Sequence, residues 1–320
     1  MQIMPYNIST FGGEIDNLTE LITWLTVAAL VIAELLLVFM LVRFRKREGQ
    51  RSSYITGESW AQLKWVLIPV MVVVCLDFFI DIRNAHAWKT IKEELPAQGM
   101  HVRVSGQQFA WTFTIPAKGD DLDGKTDITT VGELHVPVNT NIIFDLESKD
   151  VLHSFWVPAL RLKQDAVPGR TWHGWFQATR TGIYDIGCAE ICGGGHAKMA
   201  AKLVVGYPQD IEAFRQKAAL ANASPGLKLM TDKGCAACHS VDGNSRVGPT
   251  WKGIYGTKVR VTTGGSVREV TVDDDYIRRS ILEPNADVVE GFPANVMPPQ
   301  RGNVTDAEID QIIDYIKSLK

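Results

Sequence analysis

From Leu21 to Val42 the chain reads LITWLTVAALVIAELLLVFMLV, 22 residues in which Glu34 is the only formal charge. A helix of that length is long enough to cross the hydrocarbon core of a bilayer. No Lys or Arg precedes Leu21, so the basic flank of a secretory signal is missing and the span is expected to be retained. A second span, about Trp60 to Ile80, carries Lys64, Pro69 and Asp77. Lys64 sits near an end where its stem can snorkel, and a helix in a globular core is the competing reading. Arg43, Arg45, Lys46, Arg47 and Arg51 lie between the spans, whereas Glu14, Asp16 and Glu20 precede the first. The positive-inside rule therefore puts the short loop in the cytoplasm and everything after about residue 83 outside. A charge facing lipid costs at least about 2.5 kcal/mol, so Glu34 and Asp77 are expected to face protein or water, as protonated or paired carboxyls rather than a proton path.

The other three quarters of the chain read differently. A total of 320 residues implies about two globular domains beside the anchor. With 46% apolar residues, 22% charged residues and a net charge of -3, a disordered chain and a basic nucleic-acid binder are both excluded. From about His101 to Gly206, period-two stretches such as HVRVSG, FAWTFTI, ELHVPV, NIIFDLE, TWHGWFQA, GIYDIG and AKLVVG alternate with turn residues. About seven short strands predict an antiparallel sandwich or barrel. Pro208 to Asn222 predicts a helix, and the breaker Ser224-Pro225-Gly226 predicts a linker. Beyond it, VRVTTGGSVREVTV predicts a hairpin around Gly264-Gly265, and Thr305 to Glu308 (TDAE) matches a capping box opening a final amphipathic helix.

Four of the five cysteines form two close pairs. In Cys188-Ala-Glu-Ile-Cys192-Gly-Gly-Gly-His196-Ala-Lys-Met199 the three glycines argue for a loop that can fold around an ion, since each weakens a helix by about 1 kcal/mol relative to Ala. His153, in DVLHSFWVP on a neighbouring candidate strand, adds a second imidazole. Zinc has no use for the thioether of Met199, whereas copper accepts thiolate, imidazole and thioether together. Zinc and a Cys188–Cys192 disulfide remain open from the spacing alone.

Gly234-Cys235-Ala-Ala-Cys238-His239 contains CxxCH, the motif in which two thiols bond the haem vinyl groups and the imidazole binds iron. About 0.002 chance occurrences follow from this chain's own Cys and His frequencies, and no βαβ pattern supports a redox-active CxxC instead. Met297 is the only methionine after Cys238 and no histidine follows His239, which makes Met297 the candidate sixth ligand.

The hairpin, DVLHSFWVP, LRLKQDAVPGR and CAEICGGGHAKM together resemble subunit II of the haem-copper cytochrome c oxidases over residues 20 to 206. The last part, with RVGPTWKGIYG and NVMPPQ, resembles class I cytochromes c. These resemblances imply a multi-domain membrane protein: a two-helix transmembrane hairpin, a cupredoxin-like β-barrel and an all-α cytochrome c domain. By the same likeness Cys188 and Cys192 bridge the two coppers of a CuA centre. His153 and His196 cap one copper each, and Met199 and the backbone carbonyl of Glu190 complete the shells. The Glu190 side chain would reach a magnesium ion at the interface with subunit I, and the Pro249 carbonyl would orient His239.

The implied function is that of a bacterial oxidase subunit II with a fused cytochrome c, in the plasma membrane with its outer domains on the periplasmic face. Electrons would come from cytochrome c or a quinol-oxidising complex, pass through covalent haem c and CuA, and reach subunit I for oxygen reduction and proton translocation. Other oxidase subunits are the expected partners, and nucleic acid is not. A free membrane-anchored copper and haem shuttle is the alternative. The expected division is 1–98 for the N-terminal segment and hairpin, with helices at about 20–43 and 60–82. It continues with 99–206 for the barrel, 207–225 for a helical linker and 226–320 for the cytochrome. Two departures stand out. Where the family places a tryptophan that receives electrons, GQQFAWTF offers Phe109, with Trp111 two residues on. At the mouth of the family's proton channel Gln62 replaces a glutamate, with Glu58 four residues earlier.

Overall fold

The structure is a computed structural model and describes residues 5–49, 51, 54–222 and 224–319. Its contacts divide the chain into two units, one of residues 11–95 and one of residues 1–10 and 96–320.

The first unit is two helices, α1 (Gly12–Arg43) and α2 (Trp60–Trp88), followed by a π-helical turn over Lys89–Glu93. Both are long and apolar enough to cross a membrane, and the most apolar stretch of each is wholly exposed within the chain. Leu35, Leu41, Trp65 and Phe78 are all exposed, a surface that needs lipid or another protein to cover it. Each helix is longer than its apolar run, because polar residues such as those of Gly12 to Glu20 extend α1 without interrupting its hydrogen-bond ladder. Glu34 and Asp77 are exposed on these helices.

In the second unit, ten strands form two five-stranded sheets. They are β1 (Met100–Gln107), β2 (Ala110–Ile115), β3 (Ile128–Val131), β4 (Glu133–Pro137), β5 (Asn141–Ser148), β6 (His153–Val157), β7 (Leu162–Ala166), β8 (Trp172–Gln177), β9 (Gly182–Cys188) and β10 (Ala200–Gly206). The sheet orders are β3-β2-β1-β5-β8 and β4-β10-β9-β6-β7. The alternation seen in sequence turns Val102 and Val104 of β1, and Ile142, Phe144 and Leu146 of β5, inward. Trp111, Phe113, Phe144, Phe155 and Phe176 fill the space between the sheets, with Trp111 edge-on to Phe155 at 5.3 Å. The sheets are not purely antiparallel as expected: β1 pairs with β5, and β4 with β10, in parallel. Parallel neighbours need a long crossover, here supplied by the strands between them, and no local pattern announces one.

Residues 8–10 lie along this barrel, where the Ile8 N–H donates to the Ala159 carbonyl and the Thr179 N–H donates to the Ile8 carbonyl. The barrel thus takes in part of the segment expected to belong with the hairpin. Helix α3 (Pro208–Asn222) docks on the barrel through Phe214, stacked on His135 at 3.6 Å, and through buried Arg215, which donates to the Gly119 carbonyl at 3.0 Å.

The cytochrome region comprises α4 (Pro225–Asp232), α5 (Cys235–Cys238), β11 (Lys258–Thr263), β12 (Ser266–Thr271), α6 (Asp274–Leu282), β13 (Val288–Val289) and α7 (Asp306–Ser318). Pro225, read from sequence as a breaker, instead occupies the first turn of α4, where its missing N–H costs nothing. Position 223 of the expected linker lies outside the described residues. A Cβ on Gly226 would meet that of Tyr315 at 2.4 Å, so glycine is what lets α4 approach α7 closely. Helix α7 buries Ile309, Ile312, Ile313 and Ile316, spacings of three and four that form one face. The region is helical with a small sheet, in which the hairpin turns at Gly264-Gly265 as expected and β13 joins its edge.

Candidate copper and haem sites

Three pieces of the barrel bring the candidate copper ligands together: the start of β6, the end of β9, and the loop between β9 and β10. The Cys188 and Cys192 sulfurs are 3.9 Å apart, nearly twice the 2.05 Å of a disulfide bond. Around Cys188 lie His153 Nδ1 at 4.0 Å and the Glu190 carbonyl at 3.2 Å; around Cys192 lie His196 Nδ1 at 3.6 Å and Met199 Sδ at 3.7 Å. Two thiols, two imidazoles, a thioether and a carbonyl therefore converge, and His153, Cys192 and Met199 are buried. Burial and the neighbouring Cys188 push the Cys192 thiol up to about 12, so a metal must displace its proton to bind there.

Four donors would satisfy zinc, and this set has six, arranged as two half-sets around a shared pair of sulfurs. Soft thiolate and thioether beside imidazole fit copper. The Asp150 carboxylate holds His153 Nε2 at 2.8 Å, which turns Nδ1 toward the sulfurs. Sequence reading missed Asp150, although an acid three residues before a candidate histidine was the available signal. The Glu190 side chain is half-buried beside the loop.

Phe109 and Trp111 take different places. Trp111 is fully buried, edge-on to His153 at 6.0 Å, and its indole N–H has no partner among the described residues. Phe109 is half-buried, with its ring against the glycines of the copper loop: a Cβ on Gly195 would stand 2.4 Å from it.

In the haem motif, α5 is a single turn that places Cys235, Cys238 and His239 together. Burial pushes the Cys235 thiol up to about 11 and also raises that of Cys238, where a hydrogen bond from the Phe109 backbone partly opposes it. Burial lowers the pKa of His239, keeping the imidazole neutral as an iron ligand requires. The Pro249 carbonyl accepts from Nδ1 at 2.8 Å, which leaves Nε2 to bind. Trp251 stacks on the ring at 4.6 Å, and a Cβ on Gly248 would meet the ring at 2.7 Å. His239 and Met297 both line two adjoining cavities. The second is also lined by Tyr276, whose buried hydroxyl has no partner among the described residues. An apolar slot between an imidazole and a thioether, with one unsatisfied hydroxyl, fits a haem with its polar edge groups.

Residues 117–205 match the family profile described as cytochrome c oxidase subunit II, periplasmic domain, and residues 223–320 match that of cytochrome c. The alternative cytochrome c oxidase subunit 2 of Bradyrhizobium diazoefficiens is 30% identical over 232 residues, which cover 66% of this chain and 82% of that one. The chain belongs to the cytochrome c oxidase subunit 2 family. Another family member, cytochrome c oxidase subunit 2 of Alkalihalophilus pseudofirmus, is 28% identical over 95% of this chain and 86% of its own. Among solved structures, the periplasmic domain of subunit II of cytochrome oxidase from Bradyrhizobium japonicum is 26% identical, covering 40% of this chain and 99% of that chain at a TM-score of 0.37. All six candidate copper ligands fall within the first matched segment of this subunit 2, and the four candidate haem residues fall within the second. In the helical unit, Gln62 Oε1 accepts from the Gly57 N–H at 2.8 Å, beside exposed Glu58.

Proposed function

We propose that this chain is the electron-receiving subunit II of a bacterial respiratory terminal oxidase. When bound, covalent haem c and binuclear CuA supply one-electron carriers between cytochrome c, or a quinol-oxidising complex, and subunit I, where oxygen is reduced to water and protons are translocated. The observation that carries the reading is the convergence of six soft and neutral donors about two sulfurs, on a chain that also holds a CxxCH turn.

In this reading the two coppers would be held by Cys188 and Cys192 together with His153, His196, Met199 and the Glu190 carbonyl. Strands β6 and β9 hold His153 and Cys188, and the loop after β9 brings the other donors to them, an arrangement that suits a centre whose bond lengths must change little with its charge. Cys235 and Cys238 would attach the haem, His239 and Met297 would be its iron ligands, and the Pro249 carbonyl fixes the imidazole. Phe109, whose ring lies against the copper loop, and Trp111, buried beside His153, are the candidate electron-transfer residues. The Glu190 side chain is assigned to a magnesium ion shared with subunit I.

Helices α1 and α2 form a hairpin that crosses the plasma membrane twice, with the Arg43 to Arg51 loop in the cytoplasm and the barrel (99–206), helical linker (207–225) and cytochrome (226–320) in the periplasm. Glu34 and Asp77 face other oxidase subunits, and Glu58 takes the place of the acid missing at Gln62.

The test is to purify the full chain in detergent after expression with haem maturation, load it with copper, and measure copper per covalent haem with electron paramagnetic resonance. Two coppers per haem sharing one unpaired electron support the reading. One localised copper, or none, overturns it. Co-purification with a polytopic haem protein separates an oxidase subunit from a free shuttle.

A further inference from the structure

Strands β1 and β2 are joined by only Gln108 and Phe109, and this two-residue turn touches both candidate sites. On the copper side, Gln108 Nε2 donates to the Cys192 carbonyl at 2.5 Å, across 84 residues of sequence. The Gln108 backbone N–H donates to Asp150 Oδ2 at 2.8 Å, and the other oxygen of that carboxylate holds His153. Phe109 covers Gly193 and Gly195 so closely that a Cβ on either would stand within 3.1 Å of its ring. On the haem side, Phe109 lines a pocket together with Ala237 of the haem motif, and a Cβ on Gly234 would come within 2.8 Å of the side chain of Gln107, the residue before the turn. Arg246 adds longer contacts to the carbonyls of Val131 in the barrel and Ala236 in the haem motif, at 3.4 and 3.5 Å.

Within itself the copper loop is held by backbone hydrogen bonds from His196 to Gly193, Lys198 to Gly195 and Met199 to His196, none of which reaches back to the Cys192 carbonyl. Gly193, Gly194 and Gly195 follow Cys192 directly, and Gly193 holds a φ of 134°, a conformation that side chains rarely adopt. A loop of three glycines has many conformations to lose, so whatever orients the Cys192 peptide also orients the sulfur attached to it. An amide is suited to this, because Gln108 gives one donor to the carbonyl while its own backbone answers Asp150.

We propose that Gln108 is a positioning residue for the copper centre: its side chain fastens the Cys192 peptide to the β1–β2 turn. Because the backbone N–H of the same residue holds Asp150, and Asp150 holds His153, this one residue sets the copper loop in register with His153. The proposal rests on the copper assignment given above for the ligands themselves, but the fastening of the loop is a property of the chain alone.

The experiment uses the full haem-matured chain in detergent and two substitutions. Gln108→Glu keeps the shape and turns an acceptor toward the carbonyl, while Gln108→Lys keeps an N–H donor. Gln108 is exposed, so neither threatens the fold. Copper release to excess bathocuproine after reduction is expected to be about tenfold faster in Gln108→Glu and within threefold of the parent in Gln108→Lys, in keeping with the loss of one hydrogen bond. The copper hyperfine pattern should broaden in the first variant alone. In the copper-free chain, amide hydrogen exchange at Gly193 to Gly195 should rise about tenfold in Gln108→Glu. Release and exchange both within twofold of the parent in that variant would overturn the proposal. A parent chain that takes up no copper would sink the copper assignment, and the exchange measurement would still decide whether Gln108 fastens the loop.

Discussion

The copper loop and the haem motif reach their ligands in opposite ways. In the barrel, donors separated by up to 46 residues are brought together by the start of β6, the end of β9 and the loop that follows it, and each already stands within 4.0 Å of a cysteine sulfur. In the cytochrome region, three of the four ligands come from one pentapeptide, and the fourth, Met297, is 58 residues further on, lining the same two adjoining cavities as His239. The barrel's core is made of its own side chains. The cytochrome's core, with apolar Ile277, Ile281 and Ile316 facing one of those cavities, is shaped to be completed by the group it binds. The first arrangement makes the metal a guest of the fold, and the second makes the haem a part of it.

The largest effect follows from that difference. Cys235→Ser/Cys238→Ser should abolish covalent haem and, with it, the cooperative thermal transition of residues 226–320 in calorimetry, while the copper resonance of the barrel persists. If that transition survived within a few degrees, the haem would not be structural and the comparison would fail. The same variant measures the route of electrons: full turnover with the native donor would mean that the tethered haem is dispensable.

A charge beside the haem cavity gives the next largest effect. Asp287 lines the first cavity and is buried. Burial alone would raise its carboxyl, but hydrogen bonds from Thr263 and Arg268 and the charge of Arg279 outweigh this and hold it below the usual carboxylate range. A lowered acid stabilises the fold above its unfolded value near 3.9, and that contribution is lost as pH falls through the folded value. Asp287→Asn should therefore cost the cytochrome region about 2 kcal/mol at pH 7, toward the low end for a broken buried pair because both arginines reach solvent. The deficit should shrink as pH falls below about 4, and a pH-independent deficit would exclude the ionic account.

How much of this was legible depends on how local each cause is. The helices α1 and α2, the hairpin at Gly264-Gly265 and the Thr305 cap are set by contiguous residues, and sequence finds them. Strands β3 and β7 were not expected. The first has four residues, and the second, LKQDA, buries only its ends, so neither carries a full alternation. Parallel pairing of β1 with β5 is set by partners 42 residues apart and leaves no local mark. The candidate ligands were legible because Cys, His and Met in one short segment have few other uses. Asp150, Gln108 and Tyr276 were not, since Asp, Gln and Tyr serve many ends and only the folded neighbours of each reveal its task.

A milder substitution tests whether the barrel is as independent of its metal as the comparison requires. Met199 is buried with its sulfur 3.7 Å from Cys192. Met199→Leu conserves volume, so the metal-free barrel should lose less than about 1.5 kcal/mol. Copper should still bind, with a changed hyperfine splitting and reduction potential, because a weak axial thioether tunes a copper site more than it holds it. An unchanged spectrum and potential would remove Met199 from the ligand set.

The smallest effect asks whether the two regions melt separately at all. Thr305 Oγ1 accepts from the Glu308 N–H at 3.3 Å, and Glu308 Oε2 accepts from the Thr305 N–H at 2.8 Å, a reciprocal cap at the start of α7. Lys233, in the turn before the haem motif, pairs with the same carboxylate at 3.1 Å, which ties the cap to the region's first helix. Thr305→Ala removes the side-chain acceptor and should cost about 1 kcal/mol. For a region of this size that lowers its transition by about 4–8 °C. Because α7 supplies Ile316 to the cavity wall but nothing to the barrel core, the barrel's transition and its copper resonance should not move. If both transitions fell together, the contacts between barrel and cytochrome, such as that of Arg246 with the Val131 carbonyl, would be strong enough to make them one cooperative unit, and the contrast between guest metal and structural haem would have to be drawn within that unit instead.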